Sequence, residues 1–430
     1  MTIDYQKLRL YGVYQQDKDE NLMLRVKIPA GFLHSEQAFA ISAISKEFSN
    51  GMLHLTSRGS IEFHWLKHDQ LDEILARLAN VGLTTRGACG GAVRGISCST
   101  SISPGFPVIQ GIAQKLNRHF AGNPDFEGLP KKFKVSIDAG YREARHLIQD
   151  LGLVLVNTTN EQASFDIWCA GGLGREPQPG FLLEQAVPEE RLIHLIESVV
   201  QVYRENTPPP KRLKFLLNTI GEKEFRRLLN SEMDQRPYIE KPNLGRVQLL
   251  APQGTFLEIP VFAGELKADL LHRLATIASE HAGGYLATTA NQNIALLAES
   301  GDEEDILRKA FDQNNIKLNP EGITSKFRVC PGNHECRMGL SATREVSKQI
   351  ATMISENAKD KVWAISGCRN SCSQPQLADY GIVTSKLDTD EAGNKLPRFD
   401  LYRRDDSKFG NCIAEGLSAT TLYELIRTLE

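Results

Sequence analysis

Four cysteines stand in two short segments whose spacing suits metal ligation. Cys330 and Cys336 flank five residues in "CPGNHECRMGL", and Cys368 and Cys372 flank three in "SGCRNSCSQPQ". Structural zinc sites close tight turns with two to four residues between cysteines, and the wider gap between Cys330 and Cys336 suits them poorly. An iron–sulfur cluster is larger than one ion and takes thiolates from loops of mixed spacing. The pattern therefore favours a four-cysteine iron–sulfur cluster over zinc or incidental thiols. His334 and Glu335 lie inside the first loop and read as exposed or capping side chains, since four thiolates already complete a cluster. Cys89, Cys98, Cys169 and Cys412 are scattered and read as buried free thiols.

A second group of residues is cationic. Arg25, Arg58 and Arg94 occur in "LMLRVKIPAG", "TSRGSIEFHW" and "GACGGAVRGIS", and Lys131, Lys132 and Lys134 in "LPKKFKVSID". Any one of them alone would be an ordinary solvated charge. Several beside Gly-rich turns suit an anionic ligand held close to backbone. In a strand, Lys132 and Lys134 would share the face opposite Phe133, and Arg58 would alternate with Ser60 and Glu62 opposite Ile61 and Phe63.

The elements that position these residues come from an internal repeat. Ser35 to Leu66 can be laid without a gap on Ala268 to Glu299, so that Ile41 meets Leu274, Gly51 meets Gly284, Thr56 meets Thr289 and Ile61 meets Ile294. Each copy reads as an amphipathic helix, a Gly turn and an alternating strand, followed by a second helix. The approach strands match as well, "VKIPAGF" before the first copy and "LEIPVFAG" before the second. Two related halves facing each other would create one shared cleft. The proline-rich "NTPPPKR", Asn206 to Arg212, reads as a stiff linker between two helical runs, and Ser418 as the N-cap of a last short helix.

Composition limits the function classes. A chain of 430 residues exceeds what one core usually organises, so two or three domains are expected. A formal net charge of −3 gives no reason to expect nucleic acid or an anionic membrane as partner. The N-terminal residues lack an apolar targeting core, and no apolar run approaches membrane-spanning length, so a cytoplasmic protein is expected. In that reducing compartment clustered cysteines are expected to bind metal rather than form disulfides.

Taken together, these segments resemble the sirohaem and [4Fe–4S] sulfite and nitrite reductases. "YGVYQQDKDENLMLRVKIPAG" is similar to the family's N-terminal signature, "TSRGSIEFHW" to its first repeat strand and "LPKKFKVSID" to its lysine strand. "RLKFLLNTIG", "TTANQNIALL" and the paired cysteine loops complete the order. The resemblance implies an α+β fold of two pseudo-symmetric halves, each a ferredoxin-like half-domain plus an α/β sirohaem and Fe–S domain. The limits expected are 1–85 and 256–318 for the half-domains, and 86–255 and 319–430 for the α/β domains.

The resemblance also implies roles. Cys330, Cys336, Cys368 and Cys372 would hold the cluster, with the Cys372 thiolate shared with the sirohaem iron. Arg25, Arg94, Lys132 and Lys134 would bind the substrate anion, stabilise its charge and relay protons. Arg58, Lys131, Arg212 and Lys214 match positions that pair with the sirohaem carboxylates. Gln292, Asn293 and Asn370 would either contact the macrocycle or complete backbone hydrogen bonds in their turns. Glu62 stands where members often carry Gln, which puts a carboxylate near an anionic macrocycle unless it turns outward.

The reaction implied is a six-electron reduction, of sulfite to sulfide or of nitrite to ammonia. Plant-type nitrite reductases tend to lack the second lysine of the strand, and a second cation suits a doubly charged sulfite, so sulfite is favoured. A precorrin-3B synthase-like monooxygenase and an electron carrier are the alternatives from other classes. With no dinucleotide-binding turn, electrons are expected from a separate ferredoxin, cytochrome or flavoprotein.

Overall fold

The computed structural model of the protein describes residues 4–99, 105–158, 163–236, 254–318, 326–406 and 408–429. The expected limit at 318 and 319 touches residues outside this set. After a short helix α1 (Tyr5–Leu10), the first repeat runs β1 (Val13–Gln15), β2 (Leu22–Val26), β3 (Phe32–His34), α2 (Ser35–Phe48), β4 (Met52–Leu55), β5 (Ile61–Leu66) and α3 (Leu71–Asn80). The next unit holds β6 (Ser97–Cys98), α4 (Phe106–Phe120), β7 (Val135–Asp138), β8 (Leu151–Asn157), β9 (Ser164–Cys169), β10 (Phe181–Pro188), α5 (Leu192–Asn206) and α6 (Leu213–Gln235).

The second half repeats this plan. Its repeat runs β11 (Thr255–Ile259), β12 (Glu265–Lys267), α7 (Ala268–His281), β13 (Tyr285–Thr288), β14 (Ile294–Ala298) and α8 (Gly301–Gln313). Then come β15 (Phe327–Val329), α9 (Thr343–Met353), β16 (Trp363–Ser366), β17 (Tyr380–Thr389), β18 (Lys395–Arg403), β19 (Asn411–Leu417) and α10 (Ala419–Arg427). The expected helix, turn and strand pairs stand where the gapless match puts them, and Ser418 caps α10 by accepting from the Thr421 N–H.

The two repeats exchange strands. β12 of the second pairs with β4 of the first, Leu266 opposite Leu53, while β3 of the first pairs with β13 of the second, Leu33 opposite Leu286. The sheets are therefore β1-β2-β5-β4-β12 and β11-β14-β13-β3. Helices α2 and α7 pack together, and Ile41, Ile44, Leu271 and Leu274 lie in one continuous core. The apolar residues three and four apart on each helix thus bury against the other half rather than in two separate cores.

The two α/β units also share a plan. β6, β7 and β8 run parallel and β9 and β10 antiparallel; β15, β16 and β17 run parallel and β18 and β19 antiparallel. Each sheet has its own core, around Phe133 and Val199 in the first and Trp363 and Ile382 in the second. The proline-rich segment does not separate domains. It is a short connection between α5 and α6, which pack against each other within one unit. Among the described residues no helix is long and apolar enough to cross a membrane.

Candidate functional site

A cavity of about 470 Å³ lies where the first repeat, the first α/β unit and the cysteine loops meet. Cys330 follows β15, its N–H bonded to Ile365 O, and Cys368 and Cys372 follow the neighbouring β16. Parallel pairing of these strands brings both loops to one end of the sheet, and all four cysteines line the cavity. Burial, with Cys372 nearby, pushes the Cys336 thiol up to about 11, and burial raises Cys330 and Cys368 too. Such thiols ionise only beside a strong positive charge, which a metal cluster supplies. The Gly367 N–H already points at Cys330 Sγ from 3.1 Å, as it would toward a thiolate ligand.

Among the described residues no three His, Cys, Asp or Glu side chains converge closely enough to hold one metal ion. His334 bonds to Glu345 at 2.6 Å, outside the cysteine set, while Glu335 bonds to Arg344 at 2.7 Å. Of the scattered cysteines, Cys89, Cys98 and Cys169 are buried as expected. Cys412 is exposed, because β19 is an edge strand whose outer residues face solvent.

Arg25, Arg58, Arg94, Lys132 and Lys134 line the same cavity, together with Gln292 and Asn370. The Lys132–Lys134 segment approaches β7 in extended form, and Phe133 pairs in parallel with Val93. Phe133 is fully buried and holds the two lysines on the cavity side, as the alternation requires. The same pairing sets Arg94 beside them, its N–H on Phe133 O at 2.8 Å. The Gly-rich loop wraps its guanidinium with the Gly87 and Gly90 carbonyls at 3.1 and 2.9 Å.

These cations depress one another. Burial, then Arg212, pushes Lys132 down to about 8, and burial and Lys132 lower Lys134 strongly. Burial and Arg94 push Arg58 down to about 9. A wall of half-buried cations that weaken each other calls for a guest rich in negative charge, as a polycarboxylate macrocycle and an oxyanion are.

Several expected residues stand elsewhere. Arg58 lies in the turn between β4 and β5 rather than on the strand face, because Thr56 to Ser60 closes that hairpin; its guanidinium bonds Gln149 at 2.7 Å and the Gly95 and Val135 carbonyls. Glu62 does not turn outward. It is buried on β5 and pairs with Arg25. Arg212 is bound to Asp150 at 2.7 Å, Lys214 bonds the Glu176 carbonyl, and Lys131 is exposed. None of these last three lines the cavity. Gln292 bridges Leu55 O and Val329, and Asn293 bonds Glu258 and the Val261 N–H, so both complete backbone and side-chain hydrogen bonds.

Other cavity residues escaped the sequence reading. Lys27 alternates with Arg25 on the same face, and its buried Nζ has no hydrogen-bond partner among the described residues; burial and Arg94 push it down to about 8. His54 and His64 are buried on β4 and β5. The period-two pattern of "LRVK" and "EFH" was the available signal.

The family described as "Nitrite and sulphite reductase 4Fe-4S domain" matches residues 109–237, and the "Nitrite/Sulfite reductase ferredoxin-like half domain" matches 14–81 and 250–308. The chain is 25% identical over 435 residues to "Sulfite reductase [ferredoxin] 2" of Mycolicibacterium paratuberculosis, covering 90% of this chain and 77% of that one. It is also 25% identical to the chloroplastic "Ferredoxin--nitrite reductase" of Arabidopsis thaliana, covering 98% and 78%. The structure of the Mycobacterium tuberculosis NirA protein superposes with a TM-score of 0.83 at 22% identity, over 98% of this chain and 85% of the other, which shows a common fold.

Proposed function

Because the chain belongs to the nitrite and sulfite reductases, which act through sirohaem and a [4Fe–4S] cluster, we propose that its own reaction is the six-electron reduction of sulfite to sulfide. The observation that carries this reading is the pair Lys132 and Lys134, both on the wall of a cavity that also holds the four cysteines. Two adjacent cations in a poorly hydrated pocket attract a dianion about twice as strongly as a monoanion, since Coulomb energy follows the product of charges.

In this reading Cys330, Cys336, Cys368 and Cys372 would hold the cluster, Cys372 would also serve the haem iron, and Arg58 would pair with the macrocycle's carboxylates. When bound, the two groups would supply stored electrons and an iron centre at which the substrate is reduced. Arg94, Lys132 and Lys134 bind the substrate oxygens and fix their direction. Each oxygen must leave as water, so protons have to reach it. Lys132, held near 8, is an ammonium that gives up a proton readily at neutral pH. Arg212 stands behind this wall with its charge balanced by Asp150, and Lys214, on a neutral carbonyl, adds positive potential. A separate ferredoxin donates the electrons, in keeping with the names of both relatives.

One observation favours nitrite as a second reading: Glu62 places a buried negative charge beside Arg25, which lowers the net charge of the site. Steady-state turnover with a reduced viologen dye separates the two. Lys134→Asn is expected to lower kcat/KM for sulfite roughly ten-fold, with a smaller loss for nitrite. Equal losses would show that Lys134 does not discriminate by charge.

A further inference from the structure

Arg25 and Glu62 are register partners on β2 and β5. Glu62 Oε1 accepts from Arg25 Nε at 2.8 Å and from Nη2 at 2.5 Å. The third nitrogen, Nη1, is directed at Ala88 O at 3.4 Å and Cys89 Sγ at 3.6 Å. Every nitrogen of this guanidinium is therefore turned to a protein atom, although Arg25 lines the cavity beside Arg94 and the two lysines.

Glu62 is only 4% exposed, and its other oxygen lies 3.5 Å from His64 Nε2. Burial alone would raise its carboxyl, but Arg25, His64 and His54 outweigh burial and hold it below the usual carboxylate range. Both partners are thus charged, and at this separation their fields largely cancel at a distance of several ångströms. Cross-strand register fixes the pair, with His54 opposite Glu62 on its other side in β4.

We infer that Glu62 is a specificity-determining residue: by neutralising Arg25 it sets the charge that the cavity offers, leaving the uncompensated charges of Arg94, Lys132 and Lys134 to act on the oxyanion. The inference rests on the reading of this cavity as the anion site. Its consequence is a restrained preference for dianions. Removing one negative charge changes the binding energy of a dianion about twice as much as that of a monoanion, so the fold-gain for sulfite should be about the square of that for nitrite.

The test is equilibrium titration of the cofactor-loaded protein with sulfite and with nitrite, followed by the shift of the haem absorption bands, at a pH where sulfite is the dianion. Glu62→Gln keeps the shape of the side chain and removes its charge. It is expected to tighten nitrite about three-fold and sulfite closer to ten-fold in Kd. Glu62→Asp, which keeps the charge, is expected to retain the wild-type ratio of the two affinities. A ratio unchanged in Glu62→Gln, or equally changed in Glu62→Asp, would overturn the inference and leave a mere clamp on Arg25. Arg25→Ala separates this failure from failure of the site reading. Arg25→Ala leaves the Glu62 charge uncompensated and should weaken sulfite more than nitrite; if it leaves both affinities unchanged while Lys132→Ala weakens them, the anion site stands but the charge of the Arg25–Glu62 pair does not reach it, which overturns the inference alone. If neither substitution weakens either anion, the site reading and the inference fall together.

Discussion

His54 carries a cost that pH can expose. Its ring is buried on β4, its Nδ1 has no hydrogen-bond partner among the described residues, and burial pushes it down to about 4, against the pull of Glu62. The folded pKa thus lies below the unfolded value of about 6.5. Between those values the unfolded chain binds the proton and the folded chain does not, so stability present above about pH 6.5 is lost as pH falls toward 4. The loss assigned to this one ring is about 3 kcal/mol. Urea midpoints of His54→Gln across that window should fall less steeply than those of the parent; parallel curves would assign the acid loss to other groups. At this scale the sequence was informative where chemistry leaves a spacing. The cysteine pairs and the alternation of Lys132, Phe133 and Lys134 were legible because ligation and strand geometry both constrain intervals. The union of Glu62 with Arg25 was not, since two residues far apart in the chain become neighbours only through the β2–β5 register.

The helix, turn and strand repeat was readable at the scale of elements because apolar spacing and the Gly turns survive in both copies. Arg58 shows where such reading stops: alternation was extended one turn too far, into the loop between β4 and β5. The exchange of β3 and β12 left no local mark either, because a strand's own sequence does not name its partner. It does leave a backbone requirement. Gly31 and Gly264 hold corresponding places before the two exchanged strands, with φ of +77° and +70°. A Cβ on Gly31 would come 2.7 Å from Thr288 O, and one on Gly264 would come 2.7 Å from Leu55 O. Each glycine thus lets one half approach the backbone of the other. Gly31→Ala combines left-handed strain with that contact and should cost about 2 to 3 kcal/mol, read as a lowered urea midpoint. Gly264→Ala should cost a similar amount, and a loss confined to one of them would break the equivalence of the two exchanges.

Across the whole molecule, the exchange decides what unfolds with what. The repeat predicts two halves, and three limits divide the four expected domains. The half-domains nevertheless share a core in which α2 and α7 pack directly, and each lends the other a strand. Neither repeat can lose its fold without exposing the partner's apolar face, so the two should melt as one cooperative unit. Leu274 is fully buried on α7 within this shared core. Leu274→Ala should lower stability by about 2 to 5 kcal/mol through lost burial and the cavity left behind. Hydrogen exchange then distinguishes shared from separate unfolding. Protection of β4, in the unmutated half, should fall together with that of β13. Protection of β4 that stayed at the parent level while β13 opened would mean that the strand exchange does not couple the halves. The same coupling bears on the site, because β2 and β5 carry Arg25 and Glu62 in the first repeat while Gln292 of the second ties Leu55 to Val329, next to Cys330. A weakened α7 should therefore lower the retention of the iron–sulfur cluster as well, although Leu274 does not line the cavity.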